Sequence, residues 1–262
     1  MPRIVAEAGE WRNTVTIREQ GGAGTAAGEP TVGVVGQVAV LASLWASVGL
    51  GPVGWVAGTG YAVAGGALLT VGLHRSGGWS LGPADRVTLA RAVLVGGVTA
   101  LVAEALATDG GAQSAPVAIL VVLAVTALAL DGVDGYVARR TGTVSALGAR
   151  FDMEVDAFLI LVLSVFVAGS LGAWVLAIGV MRYAFAAAAR GLPWLRTTLP
   201  PSMARKTVAA VQGVVLTVAA AGVLAQWLAM TVVALALAAL VWSFGRDVGW
   251  LWRNRHRPAG LA

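Results

Sequence analysis

Long apolar runs alternate with short polar connections along most of the chain. Eight of these runs approach the roughly 20 residues that an α-helix needs to cross a bilayer. They lie at residues 34–50, 54–73, 87–107, 116–136, 153–170, 172–189, 207–226 and 229–245. The pattern therefore predicts an all-α, polytopic integral membrane bundle of about eight transmembrane helices, with the short, Gly-rich first run as its weakest member.

Composition supports a membrane protein and narrows its chemistry. Of the 262 residues, 58% are hydrophobic and 12% are charged, and the mean hydropathy is +0.80. The chain has no Cys, which excludes a disulfide framework, a Cys-ligated cluster and a thiol nucleophile. It has only 2 His, so any metal ion must be bound mainly by oxygen.

Basic residues occur in every second connection. They lie between the second and third, fourth and fifth, and sixth and seventh runs, and after the eighth; the opposite connections contain none. Because Lys and Arg concentrate on the cytosolic side, both termini and these connections are predicted to be cytosolic. We attribute the net charge of +5 to anionic membrane lipids rather than nucleic acid, since the basic residues form no patch interleaved with aromatic residues.

The acidic residues are unevenly distributed. Five of the 13 fall within a 26-residue window at the cytosolic ends of the fourth and fifth runs. They are Asp131, Asp134, Asp152, Glu154 and Asp156. Carboxylates at the edge of an apolar helix are costly unless they are paired, ligated or hydrated, so the window is a candidate functional site.

Spacing indicates what this window could bind. Asp131 and Asp134 are three residues apart and Asp152 and Asp156 four, so each pair shares one helical face. A short hairpin between the runs could bring the pairs together, and divalent cations would offset their repulsion. With Arg139 beside them, the residues indicate a metal-assisted phosphate or pyrophosphate site open to the cytosol. A buried ion-pair network is the structural alternative.

The same window matches a longer pattern. The segment Asp131-Gly132-Val133-Asp134-Gly135-Tyr136-Val137-Ala138-Arg139, continued by Gly148, Asp152 and Asp156, fits D-x2-D-G-x2-A-R-x8-G-x3-D-x3-D at all eight fixed positions. It resembles the signature of the CDP-alcohol phosphotransferase (CDP-alcohol phosphatidyltransferase) family. The resemblance covers roughly residues 83–250, where Ala84-Asp85-Arg86-Val87-Thr88-Leu89-Ala90-Arg91 also looks like the segment leading into the first core helix of that family.

The resemblance implies a domain organisation. Residues 83–250 would form a six-helix core, and residues 33–82 would add two transmembrane helices outside the family pattern. Residues 1–32, which carry charges of both signs and the run Gly21-Gly22-Ala23-Gly24, are predicted to be a flexible cytosolic tail rather than a signal peptide. Residues 251–262 would form a basic cytosolic tail.

The resemblance also implies an activity and the residues that perform it. A phosphatidyl-type group would pass from a CDP-linked lipid, such as CDP-diacylglycerol, to the hydroxyl of a polar alcohol, releasing CMP, in phospholipid biosynthesis. By similarity, two divalent cations, Mg²⁺ or Mn²⁺, would be held by Asp131, Asp134, Asp152 and Asp156, with Asp156 also the general base. Gly135, Ala138 and Gly148 would line the nucleotide, and Arg139 would lie near its phosphates.

Several residues outside the signature also have candidate roles. Arg182, well inside the sixth run, either balances the aspartates or binds an anionic acceptor. Glu154 should face away from Asp152 and Asp156 as a solvated or Arg-paired residue. Arg190, Arg205 and Lys206 either bind acceptor phosphate or form a cytosolic flank. Glu104 is expected to reach water at the outer surface. Gly96 and Ala100 permit either close helix packing or a homodimer.

Three alternative functions remain open at this stage. The polarity could be reversed, with a soluble CDP-alcohol donor and a lipid acceptor. A cation-coupled or proton-coupled transporter could use the carboxylates as an ion site, although its acidic residues should then lie near the bilayer midplane. A catalytically silent scaffold would not require the complete set of aspartates. The sequence does not identify the acceptor alcohol.

Overall fold

The chain folds into helices throughout the part that a computed structural model describes, which comprises residues 28–76, 83–108, 116–141, 146–197, 199 and 202–255. These residues contain no strand, so the predicted all-α architecture is confirmed. The helices are α1 (Gly28–Val48), α2 (Pro52–Ser76), α3 (Pro83–Ala107), α4 (Val117–Thr141), α5 (Ala146–Leu171), α6 (Leu176–Gly191), α7 (Met203–Ala220) and α8 (Gln226–Asn254). Short 3₁₀ turns at Ala173–Val175 and Pro193–Arg196 flank α6.

Each predicted apolar run coincides with one helix, but the runs differ in length. Among the described residues, six helices (α2, α3 and α5–α8) contain apolar stretches long enough to cross a membrane. The apolar parts of α1 and α4 are shorter, Val32–Val48 and Val117–Val133. In α4 the run ends where the acidic and basic residues from Asp134 to Arg140 begin. The bundle is therefore polytopic, with six long spans and two shorter apolar helices.

Two tight turns lie at the end of the bundle opposite Asp131, Asp152 and Asp156. Gly49 ends α1 with a φ of 71° and Gly172 follows α5 with a φ of 104°, a backbone region that other residues rarely adopt. Pro52 then begins α2, a position where the missing N–H costs no helical hydrogen bond. These turns make α1 and α2 one antiparallel hairpin and place α6 directly after α5.

Helix α3 lies at the centre of the bundle. It packs against α1, α2, α4 and α5, and its residues Val95 and Val98 are fully buried. Leu120 of α4 and Leu163 of α5 are also fully buried in the same core. Because lipid chains are as apolar as these side chains, close packing rather than the hydrophobic effect stabilises such contacts within a bilayer.

Small residues join the N-terminal hairpin to α3. A Cβ added to Gly58 of α2 would lie 3.2 Å from the Ala100 Cβ, and one added to Gly96 of α3 would overlap the Gln37 amide of α1. Of the two uses predicted for Gly96 and Ala100, the structure shows close packing within the chain.

Glu104 makes a contact that the sequence did not predict. It is partly buried, and its Oε2 accepts a hydrogen bond of 2.7 Å from the Gly54 backbone N–H in the first turn of α2. The first N–H groups of a helix lack helical partners and carry a partial positive charge, which favours a carboxylate there. Glu104 therefore ties the start of α2 to the end of α3.

Some of the predicted segments lie outside the described residues. These are residues 1–27 of the predicted N-terminal tail and 256–262 of the basic C-terminal tail. Residues 28–32 of the predicted first tail belong to α1, and residues 251–254 of the predicted C-terminal tail belong to α8. The flexibility of the first tail and the cytosolic location of both tails stay predictions.

Candidate active site

Three of the four predicted aspartates meet at one point. Asp131 lies in α4, and Asp152 and Asp156 lie one turn apart in α5. Each contributes a carboxylate oxygen to a group in which all oxygens are within 4.8 Å of one another. We call these three residues the aspartate cluster. The predicted spacing places Asp152 and Asp156 on one face, and the packing of α4 and α5 on α3 brings Asp131 to them.

A buried arginine holds the aspartate cluster together. Arg91 of α3 is 1% exposed and forms ion pairs with Asp152 and Asp156. Its Nη2 also lies 3.1 Å from an Asp131 oxygen. A buried guanidinium is tolerated only when it is paired and hydrogen-bonded, so the three carboxylates stabilise Arg91 as much as Arg91 positions them.

The cluster is buried on the side of Arg91 and open on the other. The side chains of Asp131, Asp152 and Asp156 are 42%, 31% and 36% exposed. Among the described residues, three carboxylates share one guanidinium. Their open side leaves carboxylate oxygens accessible to a further cation or to a substrate.

The chemistry of the cluster fits a divalent cation. Carboxylate oxygens are the ligands that Mg²⁺ and Mn²⁺ prefer. Ligands on opposite sides of a Mg²⁺ ion lie about 4 Å apart, which is close to the 4.8 Å limit within which the three oxygens fall. Because an ionised carboxylate has about four acceptor positions, each aspartate can bind an ion while it keeps its contact with Arg91.

The other predicted donor-site residues are described less completely. Asp134, Gly135, Ala138 and Arg139 lie in the last turns of α4, but their side chains are outside the described part of the chain. Gly148 lies in the first turn of α5, four residues before Asp152 and on the same helical face. The roles of these five residues stay predictions.

Arg182 and Glu154 pair with each other beside the cluster. The Arg182 Nη2 donates a hydrogen bond of 2.8 Å to the Glu154 Oε1, and the two side chains are 40% and 52% exposed. The prediction that Glu154 is exposed or paired with an arginine is confirmed. Of the two roles predicted for Arg182, the balancing of the aspartates is performed by Arg91. The role of Arg182 in binding an acceptor stays a prediction.

The remaining basic candidates lie around the ends of α6, α7 and α8. Arg205 lies 3.5 Å from an Asp247 oxygen, and Arg246 lies 3.7 Å from the other oxygen of the same carboxylate. Arg190 in the last turn of α6 and Lys206 in the first turn of α7 are both exposed. Asp247 partly neutralises Arg205, so Arg190 and Lys206 are the more exposed of these candidates.

Arg91 is the site residue that sequence reasoning missed. The predicted third span began at residue 87, which made Arg91 a flank in its first turn. The helix begins at Pro83, so Arg91 lies in the third turn and faces the core. The available signal was a single arginine within an apolar run, at a depth where an unpaired charge is costly.

Most of this bundle matches a family of known proteins. Residues 83–242, more than half of the chain, match the family model described as CDP-alcohol phosphatidyltransferase. The match begins at the first residue of α3 and includes every residue of the aspartate cluster. It excludes α1 and α2. Neither the curated proteins nor the solved structures gave a significant match to the chain.

Proposed function

Because this chain belongs to the CDP-alcohol phosphatidyltransferase family, we propose that it transfers a phosphatidyl-type group from a CDP-activated lipid to the hydroxyl of a polar alcohol and releases CMP. CDP-diacylglycerol is the proposed donor. The observation that carries this proposal is the aspartate cluster, whose three carboxylates present oxygens within 4.8 Å of one another. Such a cluster suits a substrate that carries a pyrophosphate together with metal ions.

The proposal assigns the predicted aspartates to metal binding. Asp131, Asp134, Asp152 and Asp156 would hold two divalent cations, Mg²⁺ or Mn²⁺. When bound, such ions offset the charge of the pyrophosphate and of the departing CMP. The role of Arg91 is to fix Asp152 and Asp156 in position, since a guanidinium presents several N–H donors in a rigid plane.

Asp156 is the proposed general base. It takes the proton from the acceptor hydroxyl, and the hydroxyl oxygen attacks the phosphorus nearest the lipid. A new P–O bond forms to the acceptor as the P–O bond to CMP breaks. The carboxylate is about one-third exposed, so an acceptor can reach it. Its contact with Arg91 holds it at a fixed position, which favours proton transfer at a defined distance.

The remaining predicted residues are each assigned to one of the two substrates. Gly135, Ala138 and Gly148 are proposed to line the nucleotide, with Arg139 close to its phosphates. Arg182, Arg190, Arg205 and Lys206 are proposed to attract an acceptor that carries phosphate. The half-exposed Arg182 side chain, in contact with Glu154 on the helix of the proposed base, supports this division. We place the site at the cytosolic surface, on the basis of the basic connections that surround it.

The experiment that tests the proposal is an assay of CMP release by the purified protein. It combines CDP-diacylglycerol, Mg²⁺ or Mn²⁺, and one alcohol at a time from a panel that includes glycerol phosphate, inositol phosphate and serine. We expect CMP release with at least one alcohol and none in excess EDTA. Activity that persists in EDTA would contradict the metal assignment. Activity only with a soluble CDP-alcohol and diacylglycerol would show that the lipid is the acceptor and not the donor.

A further inference from the structure

A cleft lies where the N-terminal hairpin packs on α3 and α5. It is lined by α1, α2, α3 and the start of α5, and the lining includes Gly33, Gly65, Gly66, Leu89 and Phe151. Most of these residues are apolar or small. At Gly65 and at Gly66, an added Cβ would meet no atom within 4 Å. The cleft therefore has room beside α2 that the packing of the chain does not fill.

The cleft lies next to the aspartate cluster. Phe151 in its lining directly precedes Asp152, and Leu89 and Ala92 lie on either side of Arg91 in α3. Tyr61 of α2 also lines the cleft, and its ring packs on Phe158, two residues after Asp156, with centroids 4.9 Å apart. A molecule whose phosphates reach the cluster can therefore extend an apolar part into the cleft.

One buried polar group in this apolar lining, the amide nitrogen of Gln37, has no partner in the part of the chain that the structure describes. Gln37 is 2% exposed, and its Nε2 has no hydrogen-bond acceptor among the described residues. Its amide packs against Gly96, which lies five residues beyond Arg91 in α3, about 7.5 Å further along the helix axis. A buried donor without an acceptor destabilises a fold. Its presence indicates an acceptor that is supplied by a ligand.

We propose that the cleft binds an ester-linked acyl chain of the lipid substrate, with the Gln37 Nε2 donating a hydrogen bond to the ester carbonyl oxygen. This inference rests on the proposed function, since it places the phosphate of that lipid at the aspartate cluster. In a diacylglycerol lipid, the ester carbonyls follow the phosphate by a few bonds and the apolar chain begins there. The phosphate, the ester carbonyl and the acyl chain follow one another in the lipid in the same order as the aspartate cluster, Gln37 and the apolar lining of the cleft.

The hairpin of α1 and α2 thereby acquires a role. It lies outside the region that matches the family, yet it supplies Gln37, Tyr61 and the three glycines of the cleft. The hairpin thus forms one wall of the lipid site, and its contribution is the recognition of the ester and of the first part of the chain.

A pair of glycine substitutions in α2 tests whether the cleft is used. Gly66→Leu places a side chain in the cleft, whereas Gly60→Leu places the same side chain on an exposed part of the helix, where an added Cβ also meets no atom within 4 Å. We expect Gly66→Leu to raise the KM for CDP-diacylglycerol by about tenfold or more and to leave the KM for the alcohol unchanged. Gly60→Leu should behave as the wild type.

A substitution of Gln37 tests the hydrogen bond. The wild type should prefer a diacyl CDP-lipid over its dialkyl ether analogue, which lacks the carbonyl, by about fivefold in kcat/KM. Gln37→Leu should lose this preference and retain or raise the Tm, because it removes a buried donor that has no acceptor among the described residues. A preference that persists, or a Tm that falls, would overturn the assignment to Gln37.

These experiments distinguish whether the donor or the acceptor lipid supplies the acyl chain. They also distinguish a failure of the cleft proposal from a failure of the proposed function. The same variants are assayed with diacylglycerol as acceptor and a soluble CDP-alcohol as donor. If Gly66→Leu then raises the KM for diacylglycerol, the cleft holds the acceptor lipid, and the recognition of the ester by Gln37 stands. If the wild type releases no CMP with any lipid substrate, the proposed function fails. If the wild type is active and a folded Gly66→Leu variant is unaffected, the cleft proposal alone fails.

A binding experiment without turnover covers the case in which Gly66→Leu does not fold. CDP-diacylglycerol with a photoreactive diazirine near the start of one acyl chain is irradiated with the wild-type protein in Mg²⁺ and without an alcohol. We expect label in the peptides that contain Gln37 and residues 61–69, and competition by unlabelled CDP-diacylglycerol. Label confined to α4, α6, α7 and α8, none of which lines the cleft, would contradict the proposal.

Discussion

Arg91 and Asp156, which are 65 residues apart in the chain, form an ion pair that joins the central helix α3 to the proposed base on α5. The same guanidinium contacts Asp152 and Asp131. One residue of the central helix therefore gathers carboxylates from two other helices. The geometry of the cluster depends on this arginine as well as on the spacing of the aspartates.

Arg91→Met should destabilise the protein and suppress its activity. The substitution leaves three neighbouring carboxylates without their shared cation. Breaking a fully buried pair costs about 3–5 kcal/mol, and the partial exposure of the aspartates reduces the expected loss to about 1–3 kcal/mol. Thermal unfolding in detergent and CMP release measure the two effects.

The matched variant is Arg91→Lys. It keeps the charge but presents a single ammonium group, which cannot reproduce the planar contacts to Asp152 and Asp156. We expect its Tm to lie between those of the wild type and Arg91→Met, with activity still strongly reduced. Wild-type activity and Tm in Arg91→Met would show that the arginine does not organise the site.

Asp156→Asn should abolish turnover while it largely spares donor binding. The amide keeps the shape of the side chain but cannot take the acceptor proton, and loss of general base catalysis lowers rates by about 10²–10⁴-fold. The control is Glu154→Gln, two residues earlier on α5, where the side chain contacts Arg182 instead. Unchanged turnover in Asp156→Asn would refute the base assignment.

The sequence predicts one part of this site well and another part poorly. Asp152 and Asp156 belong to one helix, and a separation of four residues fixes their common face whatever surrounds them. Arg91 reaches them from a helix more than 60 residues earlier. Local periodicity cannot reveal such a pairing, because it depends on how α3 packs within the bundle.

The same distinction applies to the fold. The lengths of the apolar runs predicted where the helices lie, because a segment that crosses lipid must make its backbone hydrogen bonds within itself. It did not determine which small residues form contacts, because Gly and Ala are abundant on many faces of these helices. The pairing of Gly58 with Ala100 and the contact between Glu104 and Gly54 depend on the depth at which α2 begins.

Glu104→Gln should lower stability without a direct effect on chemistry. The substitution removes the negative charge near the first turn of α2, where capping and dipole interactions contribute about 0.5–2 kcal/mol. The expected result is a lower Tm, measured by thermal unfolding in detergent. Glu154→Gln again serves as the control, since exposed ion pairs contribute about 0–1 kcal/mol. An unchanged Tm in Glu104→Gln would show that the hydrogen bond to Gly54 does not stabilise the hairpin.

Arg182→Gln should separate an acceptor role from a structural one. Because its pair with Glu154 is exposed, the loss of stability should stay within about 1 kcal/mol. If Arg182 binds acceptor phosphate, its loss should raise the KM for a phosphorylated alcohol about tenfold or more and leave the KM for an uncharged alcohol unchanged. Equal effects on both alcohols would contradict direct phosphate binding. Glu154→Gln isolates the effect of breaking the ion pair alone.

Divalent cations should stabilise the folded protein through the aspartate cluster, independently of turnover. A ligand that binds only the folded state at 100 times its Kd adds about 2.7 kcal/mol to the free energy of unfolding. We expect Mg²⁺ or Mn²⁺ to raise the Tm of the wild type and EDTA to reverse the change. The increase on adding metal should be much smaller in Asp131→Asn and Asp152→Asn, whatever their metal-free Tm. In Glu154→Gln, whose carboxylate lies outside the cluster, it should match the wild type. An equal increase in all four proteins would place the cation elsewhere.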